Sequence, residues 1–306
     1  MRFTHFLRLA TAAGLGATAL IAVGLATPAQ ARVADPGPAC LTPTPNAEAA
    51  AARGGATGLD HRGISAAEQR AITRRTNARL ASKGMSARGT TALVSRTVPV
   101  YVHVMRSKTG AGNVTNRQVR RQMNVMNRDY AQIGYHFNLV RIKRYYNTAW
   151  HNDQQSGHYR TLTRRGGPRA LNIWVVDFPY LGIATFPWDY PRKRAVDGIR
   201  VHFDSLPGGK AIHFNEGGTA VHEAGHWLGL YHTFQGGCTT TNDQVSDTPA
   251  QASPTSGCPT QRDSCPSDDG TDPIHNFMDY SWDSCYSEFT PGQGARANKM
   301  WAAYRA

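Results

Sequence analysis

A chain of 306 residues with 40% hydrophobic and 18% charged side chains can bury a substantial core, which excludes fibrous and wholly disordered classes. Its formal charge of +13 would point to nucleic acid or an anionic surface if it were spread evenly. It is not: residues 1 to 96 hold 12 Lys and Arg against 4 Asp and Glu, leaving 22 against 17 for the rest. The remainder is only mildly basic, and no nucleic-acid partner is expected.

In chain order, Arg2 and Arg8 precede an apolar run from Leu9 to about Ala26, and Ala29-Gln30-Ala31 follows as a small-residue cleavage site. Residues 1–31 are expected to be an export signal, with no membrane attachment once it is removed. Five cysteines fit an oxidising destination, so the chain is expected to be secreted. Residues 32–96, rich in Ala, Arg, Thr, Gly and Pro, are expected to form a pro-segment or flexible leader with one helix at Ser65 to Ala81.

A folded domain is expected over residues 97–306. Val98 to Val104 reads as a strand, and Val119, Met123, Met126 and Tyr130 mark a core-facing helix stripe within Thr115 to Ile133. Further strands are expected at Tyr135 to Ile142, Leu171 to Val176, Leu181 to Phe186 and Gly198 to Phe203, and a helix over Gly217 to Leu230. The interleaving predicts an α/β class with a mixed sheet. From Gly236 to Thr290 regular patterns vanish, and nine acidic residues face the single Arg262, so that stretch needs cysteines or cations for its order. Thr290-Pro291-Gly292-Gln293 then reads as the capped start of a last helix.

The chemistry concentrates in His222-Glu223-Ala224-Gly225-His226, inside the predicted helix. Positions i and i+4 share a helix face, so His222 and His226 can converge on one ion with Glu223 beside it. Gly229 can end the helix in the left-handed conformation, and the turn lets His232 bring a third nitrogen. Chance alone would give the extended string in about three such chains per hundred thousand, so composition bias does not explain it. Three neutral imidazoles leave tetrahedral Zn²⁺ an open position for water, and Glu223 is the expected general base. The alternative from another class is a secreted basic binding protein, which would have no need of the base.

These residues resemble the metzincin clan of zinc endopeptidases, and Asn276-Phe277-Met278-Asp279-Tyr280 resembles its methionine turn. Within the clan, the two strings together with Ala184-Thr185-Phe186-Pro187, Asp247-Thr248-Pro249 and Phe289-Thr290-Pro291 are similar to the pappalysin, or cytophagalysin, family. The resemblance implies a twisted, mostly parallel five-stranded sheet with two long helices, above an irregular, disulfide-tied part that ends in a helix. It implies His222, His226 and His232 as zinc ligands, Glu223 as base, Met278 as the floor beneath the metal, and Tyr280 as a hydroxyl near the oxyanion. It pairs Cys238 with Cys265 and Cys258 with Cys285, where sequence alone leaves three pairings open. Calcium is implied around Asp243, Val245, Asp247 and Thr248. Cys40 is a candidate latency thiol, with an intermolecular or idle thiol as the alternative. Asp283 is a candidate for a pocket that favours Lys or Arg. The expected substrate is polypeptide in extended conformation, added along the edge strand at Leu181 to Phe186.

Overall fold

The computed structural model describes residues 63–86 and 94–306. The expected export signal and Cys40 lie outside them. Among the described residues, no helix is long and apolar enough to cross a membrane.

Five strands form one sheet: β1 (Arg96–Arg106), β2 (Tyr135–Tyr146), β3 (Leu171–Val176), β4 (Gly182–Ala184) and β5 (Ile199–His202). Their order is β2-β1-β3-β5-β4. All neighbours are parallel except β4, which runs antiparallel to β5 and forms an edge. Val98, Val100, Val102 and Val104 alternate onto one face of β1, and His103 and Met105 between and after them are buried on the other. By contrast, β3 is buried at all six positions, because both of its faces are covered. A bulge between Val100 and Tyr101 shifts the register against β2.

The five longer of seven α-helices among the described residues organise the rest: α1 (Ala66–Ser82), α2 (Asn116–Tyr130), α3 (Ser156–Thr163), α4 (Gly218–Leu228) and α5 (Pro291–Tyr304). Capping boxes start three of them: Ser65 with Glu68, Thr115 with Gln118, and Thr290 with Gln293. Val119, Met123, Met126 and Tyr130 of α2 and Val221, Ala224, Trp227 and Leu228 of α4 share the main core with the valines of β1 and with Ile173, Val175 and Ile199. On the opposite face of the sheet, Tyr159 of α3 packs with Met105, Trp174 and Val176.

The expected elements are present with shifted ends. Strand β2 runs on to Tyr146, and β4 stops at Ala184 because Phe186-Pro187 turns into a short 3-10 helix. The leader departs from its composition. Helix α1 is docked rather than free, because Ile64, Ile72 and Leu80 share a core with Tyr231, Met300 and Tyr304 and so borrow apolar surface that the leader lacks. Thr76 Oγ lies 3.0 Å from Tyr304 Oη, and Lys83 Nζ donates to the Ala302 and Ala306 carbonyls.

Candidate active site

Helix α4 carries two of the three histidines, and its placement decides the site. Tyr130 Oη donates to the Val221 carbonyl at 2.8 Å, which ties α4 to α2. At its other end, Gly229 adopts φ +101° while its N–H reaches the His226 carbonyl and Leu230 N–H reaches the Gly225 carbonyl. This 6→1 and 5→2 pair is the left-handed helix stop that the sequence predicts. A Cβ there would sit 2.6 Å from Met300 Cγ, so packing and backbone both demand glycine. The released chain brings His232 back to α4, and Thr233 N–H fixes it to the Met278 carbonyl at 3.2 Å.

The Nε2 atoms of His222, His226 and His232 form a triangle with sides of 3.1, 3.1 and 3.2 Å. All three side chains are buried. His222 Nδ1 lies 2.7 Å from the Phe277 carbonyl and His226 Nδ1 lies 2.9 Å from the Leu230 carbonyl. A carbonyl only accepts, so each Nδ1 carries the proton and each Nε2 presents a lone pair to the centre. Lone pairs crowded this closely repel one another unless a cation lies among them. For Zn–N bonds of about 2.0–2.1 Å in tetrahedral geometry the nitrogens would stand about 3.3 Å apart, so the triangle fits that ion. Carbonyls that orient the rings are the outer support such ligands use.

Around this triangle, Tyr280 places its ring 5.6 Å from that of His222 and 4.8 Å from that of His232. Phe234 stacks on His232 at 4.6 Å and Phe186 meets His226 at 5.3 Å, so the histidines stand in an apolar wall. Met278 is fully buried beneath α4, and a Cβ on Gly225 would collide with its Sδ. The glycine inside the histidine motif is therefore the space that Met278 fills. Asn276 and Gln293 exchange two amide hydrogen bonds of 2.9 and 2.8 Å, which hold the methionine turn to α5.

Glu223 is buried on α4 beside Gly182 of β4. Other expected residues do different work. Asp283 is buried, and its Oδ2 accepts the N–H groups of Glu216, Gly217 and Gly218 at 2.8, 3.0 and 3.1 Å. The helix start at Gly217 has no side-chain cap of its own, and the distant carboxylate supplies one. Asp243 accepts from Val245 N–H and Thr248 Oγ, and Asp247 accepts from Thr290 Oγ and Gly292 N–H. Both carboxylates of the expected calcium loop thus brace a turn and the start of α5. Burial pushes the Asp243 carboxyl up to about 7. Two disulfides, Cys238–Cys265 and Cys258–Cys285, tie the irregular region.

Sequence reasoning missed Arg305. Its guanidinium is fully buried, lies 3.6 Å over the Trp227 ring, donates to the Trp227 carbonyl and pairs with Asp197. With Arg296 donating to the Gly229 carbonyl at 2.8 Å, it locks α5 onto the helix that bears His222 and His226. An arginine at the end of an apolar helix was the only signal.

Comparison with known proteins agrees with this geometry. Residues 181–302 match the peptidase M43 family, described as pregnancy-associated plasma protein-A. An extracellular metalloprotease of Pyricularia oryzae is 47% identical over 216 residues, covering 69% of this chain and 76% of the relative. One from Verticillium alfalfae is 46% identical over 225 residues, covering 71% and 79%. Among solved structures, Tannerella forsythia mature mirolysin in complex with a cleaved peptide superposes with a TM-score of 0.58 at 27% identity, over 67% of this chain and 90% of that one. Sequence and fold together establish that the chain belongs to the peptidase M43, or pappalysin, family of metzincins and is a metalloendopeptidase.

Proposed function

We propose that the protein hydrolyses peptide bonds of extended polypeptides, with zinc held by His222, His226 and His232 and with Glu223 as the general base. The observation that carries this reading is the triangle of Nε2 lone pairs, two of them fixed by backbone carbonyls. Bound there, zinc supplies a Lewis acid that polarises the scissile carbonyl and lowers the pKa of water from about 15.7 to about 7. Glu223 takes the proton of the attacking water and passes it to the departing amine nitrogen, so no acyl-enzyme forms. Tyr280, whose ring borders two of the histidines, donates its hydroxyl to the developing oxyanion.

The substrate is aligned by β4. This strand pairs on one side only, so an extended peptide can add antiparallel to its open edge. Residues 97–306 are assigned as the catalytic domain, 1–31 as the export signal, and 32–96 as a pro-segment of which α1 is a docked part. The deciding experiment is casein hydrolysis by the parent and by Glu223→Ala, each with and without 1,10-phenanthroline. Glu223→Ala should retain one zinc per chain and lose about a hundredfold or more in kcat. Equal clearance by parent and variant overturns the mechanism.

A further inference from the structure

Gly182 is buried at the start of β4, yet its backbone is not in the left-handed region that favours glycine. A glycine inside a strand weakens it, so conformation gives no reason for this one. Space does. A Cβ at Gly182 would lie 2.6 Å from Glu223 Cδ, and closer still to its Cγ and Oε1. The carboxylate of Glu223 therefore lies in a hollow that exists only because β4 lacks a side chain there.

The register of β4 makes the position more telling. Leu181 accepts from His202 N–H at 2.8 Å and Thr185 N–H donates to Gly198 at 3.1 Å, while Ile183 faces Arg200. In an antiparallel pair the backbone groups alternate in direction, so Leu181, Ile183 and Thr185 address β5. Gly182 and Ala184 turn their N–H and C=O groups to the open edge. One residue thus offers its backbone on the substrate side and its bare Cα to the carboxylate.

We propose that Gly182 is the positioning residue for Glu223: its missing side chain sets the carboxylate's place directly behind the backbone that receives the peptide. This rests on the assignment of Glu223 as base. A methyl group at this position pushes the carboxylate out of its hollow, and displacement of about 1 Å in a reacting group costs about a hundredfold in rate. Ala184, the other residue facing the open edge, leaves peptide pairing intact, so the loss falls on kcat rather than KM.

The test uses four full-length zinc-loaded proteins: parent, Gly182→Ala, Glu223→Ala and the double variant. Thermal unfolding, zinc content and steady-state kinetics are measured for each. Gly182→Ala is expected to lower Tm by about 5 °C or more when Glu223 is present. In the Glu223→Ala background, where the hollow is vacated, the same change should move Tm by no more than about 1 °C. Zinc stays at one per chain throughout, and Gly182→Ala lowers kcat by about tenfold to a hundredfold with KM within about twofold. Equal Tm losses in the two backgrounds overturn the proposal, as does a kcat within about twofold of the parent. Should Glu223→Ala alone remain active, the assignment of the base fails, whereas the Tm cycle still reports separately whether Gly182 makes the hollow.

Discussion

Asp283→Ala should destabilise the protein without changing which peptide bonds it prefers. The carboxylate accepts three backbone N–H groups at the start of α4, and two of the donors, on Gly217 and Gly218, are buried. Losing a cap of this kind costs about 0.5–2 kcal/mol, and losing the negative charge at a helix N-terminus adds about 0.3–1 kcal/mol. Donors left dry add about 1–3 kcal/mol more, so the whole effect is about 2–6 kcal/mol, or roughly a 1–3 M shift in urea midpoint. A Cβ on Gly218 would collide with Asp283, so the glycine at the helix start makes room for the capping carboxylate. Asp283→Asn, which keeps an acceptor but not the charge, should lie about 1 kcal/mol below the parent. Urea unfolding followed by tryptophan fluorescence measures the stability, and digestion of a peptide library by both proteins measures preference. A midpoint within about 0.2 M of the parent, together with a lost preference for Lys or Arg, would refute the capping assignment.

Burial pushes His103 down to about 4, aided by Arg165, Lys143 and Arg141 and opposed by its hydrogen bond to Asn172. The unfolded chain therefore takes up a proton that the folded one refuses between about pH 6.5 and 4, so stability falls as pH falls through that window, by about 3 kcal/mol in all. His103→Leu should flatten that slope relative to the parent in urea melts taken at several pH values; matching slopes count against it. Leu80→Ala, which empties a fully buried position of α1, should cost about 2–5 kcal/mol, and a Tm equal to the parent's would mean that α1 is not docked in solution. Dialysis against 1,10-phenanthroline should abolish casein hydrolysis and lower Tm, since an ion at a thousand times its Kd stabilises by about 4 kcal/mol; one equivalent of zinc should restore both.

The histidine string was legible because it is local: helix periodicity sets His222 beside His226, and Gly229 marks the helix end wherever α4 lies. Strand and helix order were legible for the same reason, as with the valines of β1 and the Thr290-Pro291-Gly292-Gln293 start of α5. Other features belong to pairs of residues far apart in sequence, which composition and spacing do not encode. Asp283 finds the bare end of α4, 65 residues upstream, and Arg305 finds Trp227 and Asp197, 78 and 108 residues away. The collision that reserves Gly182 for glycine arises only when β4 and α4 are packed together. Sequence alone determined that His222 and His226 share one helix face with Glu223 beside them, because covalent spacing on a helix fixes this. Tertiary packing decided which carboxylates brace the scaffold, as Asp283, Asp243 and Asp247 do, because a carboxylate takes its task from the donors that surround it.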